Sequence, residues 1–154
     1  MLFDWDDTDK RILKLLQTNA RLSAKEIADK IGLTITPTYE RMRKIERSGI
    51  IKANVALLDR NQLDKKTVAY CNVSLLVHSI KAIEGFEKAV RKIPEVMECY
   101  HITGNYDYLL KVAVSDMNQY QLFLTGKLAV IEHVAQVHSN FVMTDVKYTT
   151  AYEL

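Results

Sequence analysis

The sequence predicts an α+β protein with two parts, an N-terminal winged helix-turn-helix and a ferredoxin-like βαββαβ sandwich. Residues 23–51 contain two short helical patterns separated by a glycine. After residue 67 the patterns follow the order β-α-β-β-α-β, which is typical of a sandwich with helices on one face of an antiparallel sheet. A short polar segment separates the two parts. We therefore expect domains at 1–60 and 68–154, joined by a linker at 61–67.

The N-terminal part is predicted to contain three short helices around a small core. The first helix is expected to begin at Asp6, with Asp9 in its first turn, where a carboxylate favours the helix dipole. The residues that share the core are Ile12, Leu16, Ile27, Ile31, Met42 and Ile45. Residues 50–58 alternate weakly and are predicted to form a strand or wing after the third helix. A unit of about 60 residues buries little surface, so we expect it to pack against another part of the assembly.

The second and third helices are predicted to be joined by a tight turn. Ser23 and Glu26 form a capping box at the start of the second helix. Gly32 is expected to end that helix, because glycine adopts the left-handed conformation without a steric cost. Thr34 or Thr36 can cap the third helix. This layout is that of a helix-turn-helix that binds DNA.

The third helix carries a polar and mostly basic face. At about 100° per residue, Met42 and Ile45 lie on one side with the methyl group of Thr38, and polar residues lie opposite and on the flanks. Arginine can pair with guanine, lysine can neutralise phosphate and glutamate can accept from cytosine. A solvated helix face is the alternative. The residues predicted to contact double-stranded DNA are Thr36, Thr38, Tyr39, Glu40, Arg41, Arg43, Lys44 and Arg47.

Composition and charge distribution agree with this interpretation. The chain has 154 residues, of which 48% are hydrophobic, as in a soluble globular protein. Residues 1–60 carry 12 Lys+Arg against 9 Asp+Glu, and residues 61–154 carry 9 against 10, so the positive excess lies in the first part. No apolar run approaches the ~18 residues of a membrane span, and the start is acidic, so we expect a cytoplasmic protein without membrane contact. Cys71 and Cys99 are predicted to be reduced core residues.

The C-terminal part is predicted to form a sheet with one face left for a partner. Gly104 and Asn105 mark a hairpin turn, and Asp116 is expected to cap a helix. Apolar residues occur at both even and odd positions along 68–77, and therefore on both faces of the predicted strand. This pattern suggests that another subunit covers the second face. The strands are expected at 68–78, 96–103, 106–114 and 134–142, with a further one at 148–154, and a helix at 80–92.

Several short motifs are spread across the whole chain. The front half contains Asp-x-x-Asp-x-x-Ile-Leu at 6–13 and Asn-x-Arg-x-Ser at 19–23, and the back half contains Gly-x-x-Asp-Tyr-x-Leu at 104–110. Together with the helix-turn-helix, these motifs resemble those of the Lrp/AsnC family of regulators. The resemblance implies a DNA-binding domain followed by an effector domain that dimerises through its sheet. It also implies dimers that assemble into a larger even-numbered oligomer, commonly an octamer, and regulation by an amino acid.

An amino acid effector needs donors for its carboxylate and an acceptor for its ammonium group. Gly104 allows close backbone approach, and Asp107 offers a carboxylate. Ordinary turn chemistry is the alternative explanation for both residues. The resemblance implies a ligand between dimers, against the hairpin and the strand predicted at 134–142. The predicted effector residues are Gly104, Tyr106, Asp107, Gln136, Val137, His138 and Ser139.

These observations predict a sequence-specific transcriptional regulator that responds to an amino acid or a related metabolite. An enzyme is not expected, because the sequence has no P-loop, no Gly-x-Gly-x-x-Gly and no signature of a nucleophilic triad. The histidines lack metal-ligand spacing, so neither a metal nor a cofactor is expected. The alternative function is an oligomeric amino-acid-binding protein whose helix-turn-helix does not read specific DNA.

Overall fold

The computed structural model describes residues 4–154, which divide into two compact units. One unit comprises the described residues up to Leu57 together with Lys147–Leu154, and the other is Leu58–Val146. The C-terminal domain predicted from sequence included residues 147–154, whereas in the structure these residues group with the first unit.

Three helices form the first unit, and their ends follow from residues that the sequence singled out. Asp6 caps the first helix by accepting a hydrogen bond from the Asp9 amide at 2.8 Å. Ser23 and Glu26 form the predicted capping box. Gly32 and Gly49 end the second and third helices with φ of 73° and 75°, in the left-handed region. The helices are α1 Asp7–Thr18, α2 Ala24–Ile31 and α3 Ile35–Ser48.

The core of the first unit lies between these three helices. Its buried members are Ile12, Leu13, Ile27, Ile31 and Ile45, with Leu16 and Met42 partly buried beside them. The strand predicted at 50–58 is not formed, and residues 50–59 have no regular secondary structure. An isolated strand is not stable without a partner for its backbone groups. None of the strands in the described part of the chain pairs with this segment.

Tyr152 and Glu153 of the last segment contact α1. The Gln17 amide donates to the Tyr152 carbonyl at 3.0 Å, and the Tyr152 N–H donates to the Gln17 side chain at 2.6 Å. Lys14 pairs with Glu153 at 2.6 Å. The prediction of a strand at 148–154 is wrong, because these residues form no strand and the backbone of Tyr152 bonds to a side chain of α1 instead of a neighbouring strand.

The second unit is an antiparallel four-stranded sheet with helices on one face. Its elements are β1 Thr67–Leu75, α4 Ile80–Val90, β2 Val96–His101, β3 Tyr108–Val114, α5 Met117–Phe123 and β4 Val134–Phe141. They follow the predicted βαββαβ order along the chain, and the strands lie in the order β2-β3-β1-β4 across the sheet. Phe86, Phe123 and Leu128 from the helical layer pack against the inward residues of the sheet.

The second face of the sheet has no helix over it in the described part of this chain, and we call it the open face. Neighbouring residues of a strand point to opposite faces of the sheet. Cys71 of β1 and Leu110 of β3 belong to the core, so Tyr70 on β1 and Leu109 and Lys111 on β3 lie on the open face. Lys111 pairs with Glu98 of β2 at 2.8 Å. The open face therefore mixes apolar and charged groups.

The two cysteines differ in their surroundings. Cys71 is fully buried, as predicted, and burial raises the pKa of its thiol. Cys99 is exposed on the edge strand β2, so its prediction as a core residue is wrong. Edge position explains the difference, since β2 has a neighbouring strand on one side only.

Candidate nucleic-acid interface and effector site

The exposed face of α3 carries five of the eight residues that the sequence predicted to contact DNA. Tyr39 lies beneath the Arg43 guanidinium, which is 5.8 Å from the ring centroid. Arg47 follows one turn later, and its Nε donates to the Arg43 carbonyl at 3.2 Å. The five residues of this face are Thr36, Tyr39, Glu40, Arg43 and Arg47, all of them exposed, whereas Lys44 is exposed but lies on the flank of the helix. They form a surface with aromatic, hydroxyl, carboxylate and guanidinium groups, which is suited to contacts with both bases and phosphates.

Thr38 does not belong to this surface. Its side chain is fully buried, and its hydroxyl donates to the Thr34 carbonyl at 2.9 Å. The prediction of Thr38 as a DNA contact is therefore wrong. A hydroxyl that bonds to the carbonyl four residues earlier is satisfied within the helix, so the residue can face the core.

Arg41 and Lys44 lie on the flank of α3 and are held by acidic residues of the α1 region. Arg41 Nη1 is 2.7 Å from Asp9 Oδ1 and 2.6 Å from Asp6 Oδ2. Lys44 Nζ is 2.9 Å from Asp9 Oδ2. The Asp6 carboxylate, followed by that of Asp9, raises the pKa of Arg41, so its charge is permanent. Both cations are thus engaged within the protein.

From the sequence, Asp9 was expected only to favour the dipole of the first helix turn, and this cluster was not predicted. The side chain of Asp9 has no exposed surface. A signal was present in the sequence, since an acidic pair at i,i+3 in the α1 region matches a basic pair at i,i+3 in α3. Periodicity alone could not show that the two pairs meet, because the packing of one helix on another sets that contact.

Gly104 and Asp107 flank the turn between β2 and β3. Gly104 has a φ of 114°, which only glycine adopts readily, although a Cβ there would meet no atom within 4 Å. Asp107 Oδ2 accepts from the Leu75 amide at 2.7 Å, and Oδ1 lies 2.9 Å from His78 Nε2. The Leu75 N–H, followed by His78, lowers the pKa of Asp107. The carboxylate therefore ties the turn to the end of β1.

The four residues predicted from β4 do not share one surface. Gln136 and His138 pair with Ser74 and Asn72 of β1. These β1 residues alternate with the core residues of the strand, so they point towards the open face. Val137 instead packs against the core of the sheet. The hydroxyl of Ser139 accepts a hydrogen bond from Tyr120 on the helical side. The prediction that all four line one pocket is wrong, since successive residues of a strand point to opposite faces.

Tyr106 lies close to the remaining part of the predicted effector set. Its ring centroid is 6.3 Å from that of His138, with the planes tilted by 41°. The turn and the last strand are thus brought together on the side of Gln136 and His138. The effector residues that remain compatible with one surface are Gly104, Tyr106, Asp107, Gln136 and His138.

A separate cleft of 500 Å³ lies between α4 and β2. Its floor includes Tyr108, whose hydroxyl donates to Glu87 at 3.2 Å and whose ring stacks on His101 at 4.8 Å. Burial, followed by the Glu87 charge, strongly raises the pKa of Tyr108. Among the described residues, no group of three or more His, Cys, Asp or Glu side chains could hold a metal ion. None of the described helices is long and apolar enough to cross a membrane.

Comparison with protein families and known proteins covers nearly the whole chain. Residues 68–152 match the family model for the Lrp/AsnC ligand binding domain, and residues 6–52 match that for a winged helix-turn-helix DNA-binding domain. The chain is 43% identical over 141 residues to the proline dehydrogenase transcriptional activator of Rhodobacter capsulatus, with 92% of each chain covered. It is 36% identical over 144 residues to the leucine-responsive regulatory protein of Escherichia coli K12, covering 94% of this chain and 88% of that one.

Solved structures give the same picture. A Neisseria meningitidis transcriptional regulator in complex with L-Met superposes with a TM-score of 0.93 at 34% identity, over 97% of both chains. An AsnC family transcriptional regulator from Agrobacterium tumefaciens has a TM-score of 0.90 at 37% identity, over 96% of both chains.

Proposed function

Because the chain belongs to the Lrp/AsnC family of transcriptional regulators, we propose that it reads specific DNA sequences with the exposed face of α3. The observation that supports this most is the placement of Arg43 and Arg47. They lie one helical turn apart on the exposed side of α3, whereas Ile45 points into the core. A regulator of this kind acts where the chromosome is accessible, so we propose a cytoplasmic location.

Binding of duplex DNA by Arg43→Ala and Arg47→Ala tests this assignment. The probe is a duplex enriched from a random pool by the wild-type protein, together with a scrambled duplex of equal length. Loss of a base contact should cost roughly 1–3 kcal/mol and relax specificity, whereas loss of a phosphate contact should weaken both duplexes alike. Lys88→Ala, which removes an exposed cation from α4, is the matched control and should bind like wild type.

The competing function is an amino-acid-binding assembly that does not read DNA sequence. It predicts that the random pool yields no enriched duplex and that the arginine variants bind both duplexes as the wild type does. Either result at low salt would refute the proposal that the chain recognises specific DNA sequences.

We propose further that an L-amino acid regulates this DNA binding. The relative from Neisseria meningitidis was crystallised with L-Met, and it matches this chain over nearly its full length. The surface formed by Gly104, Tyr106, Gln136 and His138 supplies backbone groups, a phenol, an amide and an imidazole. These are donors and acceptors suited to a zwitterion. Asp107 stays a predicted ammonium partner, although Leu75 and His78 already occupy its two oxygens.

A thermal-shift screen of the L-amino acids, with D-methionine as the stereochemical control, tests this part. A ligand that binds only the native state raises stability by about 2.7 kcal/mol at a hundredfold excess over its dissociation constant. Gln136→Ala and His138→Ala should reduce the shift, whereas Val130→Ala, at an exposed site outside this surface, should leave it unchanged. A shift that survives both site variants would place the ligand elsewhere.

The open face of the sheet is the surface that we propose for dimerisation, with dimers assembling into a larger even-numbered oligomer such as an octamer. Leu109 lies on this face, whereas Leu122 is an exposed leucine of α5 on the helical side. Introducing a charge into an apolar contact opposes association. Leu109→Asp should therefore lower the mass measured by light scattering, and Leu122→Asp should not. Equal masses for both variants and the wild type would rule out the open face as the contact.

A further inference from the structure

We propose that Asp9 is a positioning residue that keeps two of the four cations of α3 away from DNA and thereby favours sequence reading over general attraction to phosphate. This inference rests on the proposed function, since it concerns the helix that we propose to contact DNA. The cations of α3 are Arg41, Arg43, Lys44 and Arg47. Only Arg41 and Lys44 are bound by the carboxylate of Asp9.

Both oxygens of one buried carboxylate are occupied by cations of α3. Asp9 has no exposed surface, and each of its oxygens accepts from a different cation, at 2.7 Å for Arg41 and 2.9 Å for Lys44. Asp6 accepts from the same Arg41 nitrogen at 2.6 Å while it caps α1. A buried carboxylate without these partners would be left uncompensated, so the ion pairs persist when DNA approaches.

The position of the pair around α3 explains what it achieves. At about 100° per residue, Arg41 and Lys44 are centred roughly 115° from the centre of the exposed face that contains Arg43 and Arg47. Lys44 also lies 5.2 Å from the ring centroid of Trp5. The two flank cations are therefore turned towards α1, and the free basic charge of α3 is confined to one narrow face. Sequence-independent affinity grows with the number of phosphates that a protein neutralises, so withholding two cations lowers it.

The simpler explanation is that these ion pairs only stabilise the packing of α1 on α3. Both explanations predict that Asp9→Asn is less stable. They differ in the salt dependence of DNA binding, because removing a purely structural pair leaves the number of cations that bind phosphate unchanged. The dependence of log K on log salt concentration therefore separates them.

The experiment measures binding of the full chain to the enriched and scrambled duplexes over a series of KCl concentrations. Lys44→Met removes a cation that we infer to be withheld, so its salt slope and affinity should equal those of the wild type. Arg43→Met removes a cation from the exposed face and is the matched comparison. Its slope should fall by about 0.9 for each phosphate that is no longer neutralised, or its preference for the enriched duplex should fall if Arg43 binds a base.

Asp9→Asn keeps the shape of the side chain, removes the carboxylate that holds Lys44 and leaves Arg41 with Asp6 as its remaining carboxylate partner. We expect tighter binding to the scrambled duplex, a slope steeper by about 0.9 for each cation that now reaches phosphate, and a smaller preference for the enriched duplex. Adding Lys44→Met to Asp9→Asn should remove part of the extra slope. Circular dichroism melting identifies conditions in which each variant is folded.

Two outcomes would overturn the inference. One is a Lys44→Met variant whose salt slope falls as much as that of Arg43→Met, a result that does not require Asp9→Asn to fold. The other is a folded Asp9→Asn variant with the slope and preference of the wild type. If neither Arg43→Met nor Arg47→Ala changes binding, the proposed function fails instead, and the two failures are thus distinguishable.

Discussion

Replacement of Asp107 by alanine is expected to destabilise the unit Leu58–Val146 by about 2 kcal/mol, because a hydrogen bond to a charged group contributes roughly 1.5–3 kcal/mol. The bond in question joins Asp107 Oδ2 to the Leu75 amide at 2.7 Å. The carboxylate is only 22% exposed, so water replaces this bond poorly. His78 is 62% exposed, and its interaction with Asp107 should add little.

Asp107→Asn provides the matched variant, because it keeps an acceptor oxygen and removes the charge. Its cost should be about half that of alanine, since bonds to charged acceptors are roughly twice as strong as neutral ones. Urea unfolding followed by circular dichroism gives both values. All proteins must be compared at one concentration, because association with other subunits shifts apparent stability.

The same bond predicts how the difference depends on pH. The Leu75 N–H is the main cause of the lowered pKa of Asp107, whose ordinary value is 3.8. A carboxylate with a lowered folded pKa stabilises the protein above its ordinary value and loses that contribution as the pH falls through the lower folded value. The difference in free energy of unfolding between the wild type and Asp107→Ala should therefore be largest at neutral pH and decrease below pH 3.8. Neutral-pH stabilities within about 0.5 kcal/mol of each other, the range of ordinary surface substitutions, would refute the reasoning.

Three further substitutions test the backbone features that shape the two units, each by urea unfolding. Gly104→Ala should cost roughly 1–3 kcal/mol, because an alanine at a φ of 114° is strained even though its Cβ meets no neighbour; a cost below that range would contradict this. Gly85→Ala in α4 meets no neighbour either and has no positive φ, so it should stabilise by roughly 0.5–1 kcal/mol, and a loss of stability would count against it. Ser23→Ala removes one half of the capping box of α2 and should cost about 1 kcal/mol, with unchanged stability as the contrary result.

Local chemistry made the helix boundaries and the strand order predictable. Ser23, Gly32 and Gly49 act on backbone groups within a few residues, so their effects are visible in a short window of sequence. The order of strands and helices followed from the change of period between elements. Residues 50–58 and 148–154 were predicted wrongly as strands for the opposite reason. A strand depends on a partner that the alternation of one segment does not reveal.

The candidate site was predictable only as far as each helix or strand could be considered alone. Helical periodicity separated the core side of α3 from its exposed side, yet Thr38 was wrongly predicted as a DNA contact, because periodicity does not show that its hydroxyl bonds to the Thr34 carbonyl. Val137 and Ser139 were wrongly predicted to share a surface with Gln136 and His138, because neighbouring residues in sequence point to opposite faces of a strand. Thr38 and Ser139 carry hydroxyl groups that could bind a ligand, but each hydroxyl forms a hydrogen bond within the fold.

Asp9 and Asp107 show the common cause of the larger differences. From the sequence, Asp9 was expected to favour the dipole of its own helix, and Asp107 was expected to bind a ligand. In the structure each carboxylate joins elements more than 30 residues apart, Asp9 to Lys44 and Asp107 to Leu75. A buried or half-buried carboxylate needs partners for both oxygens, and the chain supplies them before any ligand or DNA arrives. Substituting either residue would therefore change DNA or effector binding through the fold, and loss of binding alone would not identify a contact. A role is assigned only by a measurement that separates an effect on the fold from a direct contact. The salt slope does this for Asp9, and the acid dependence of stability does it for Asp107.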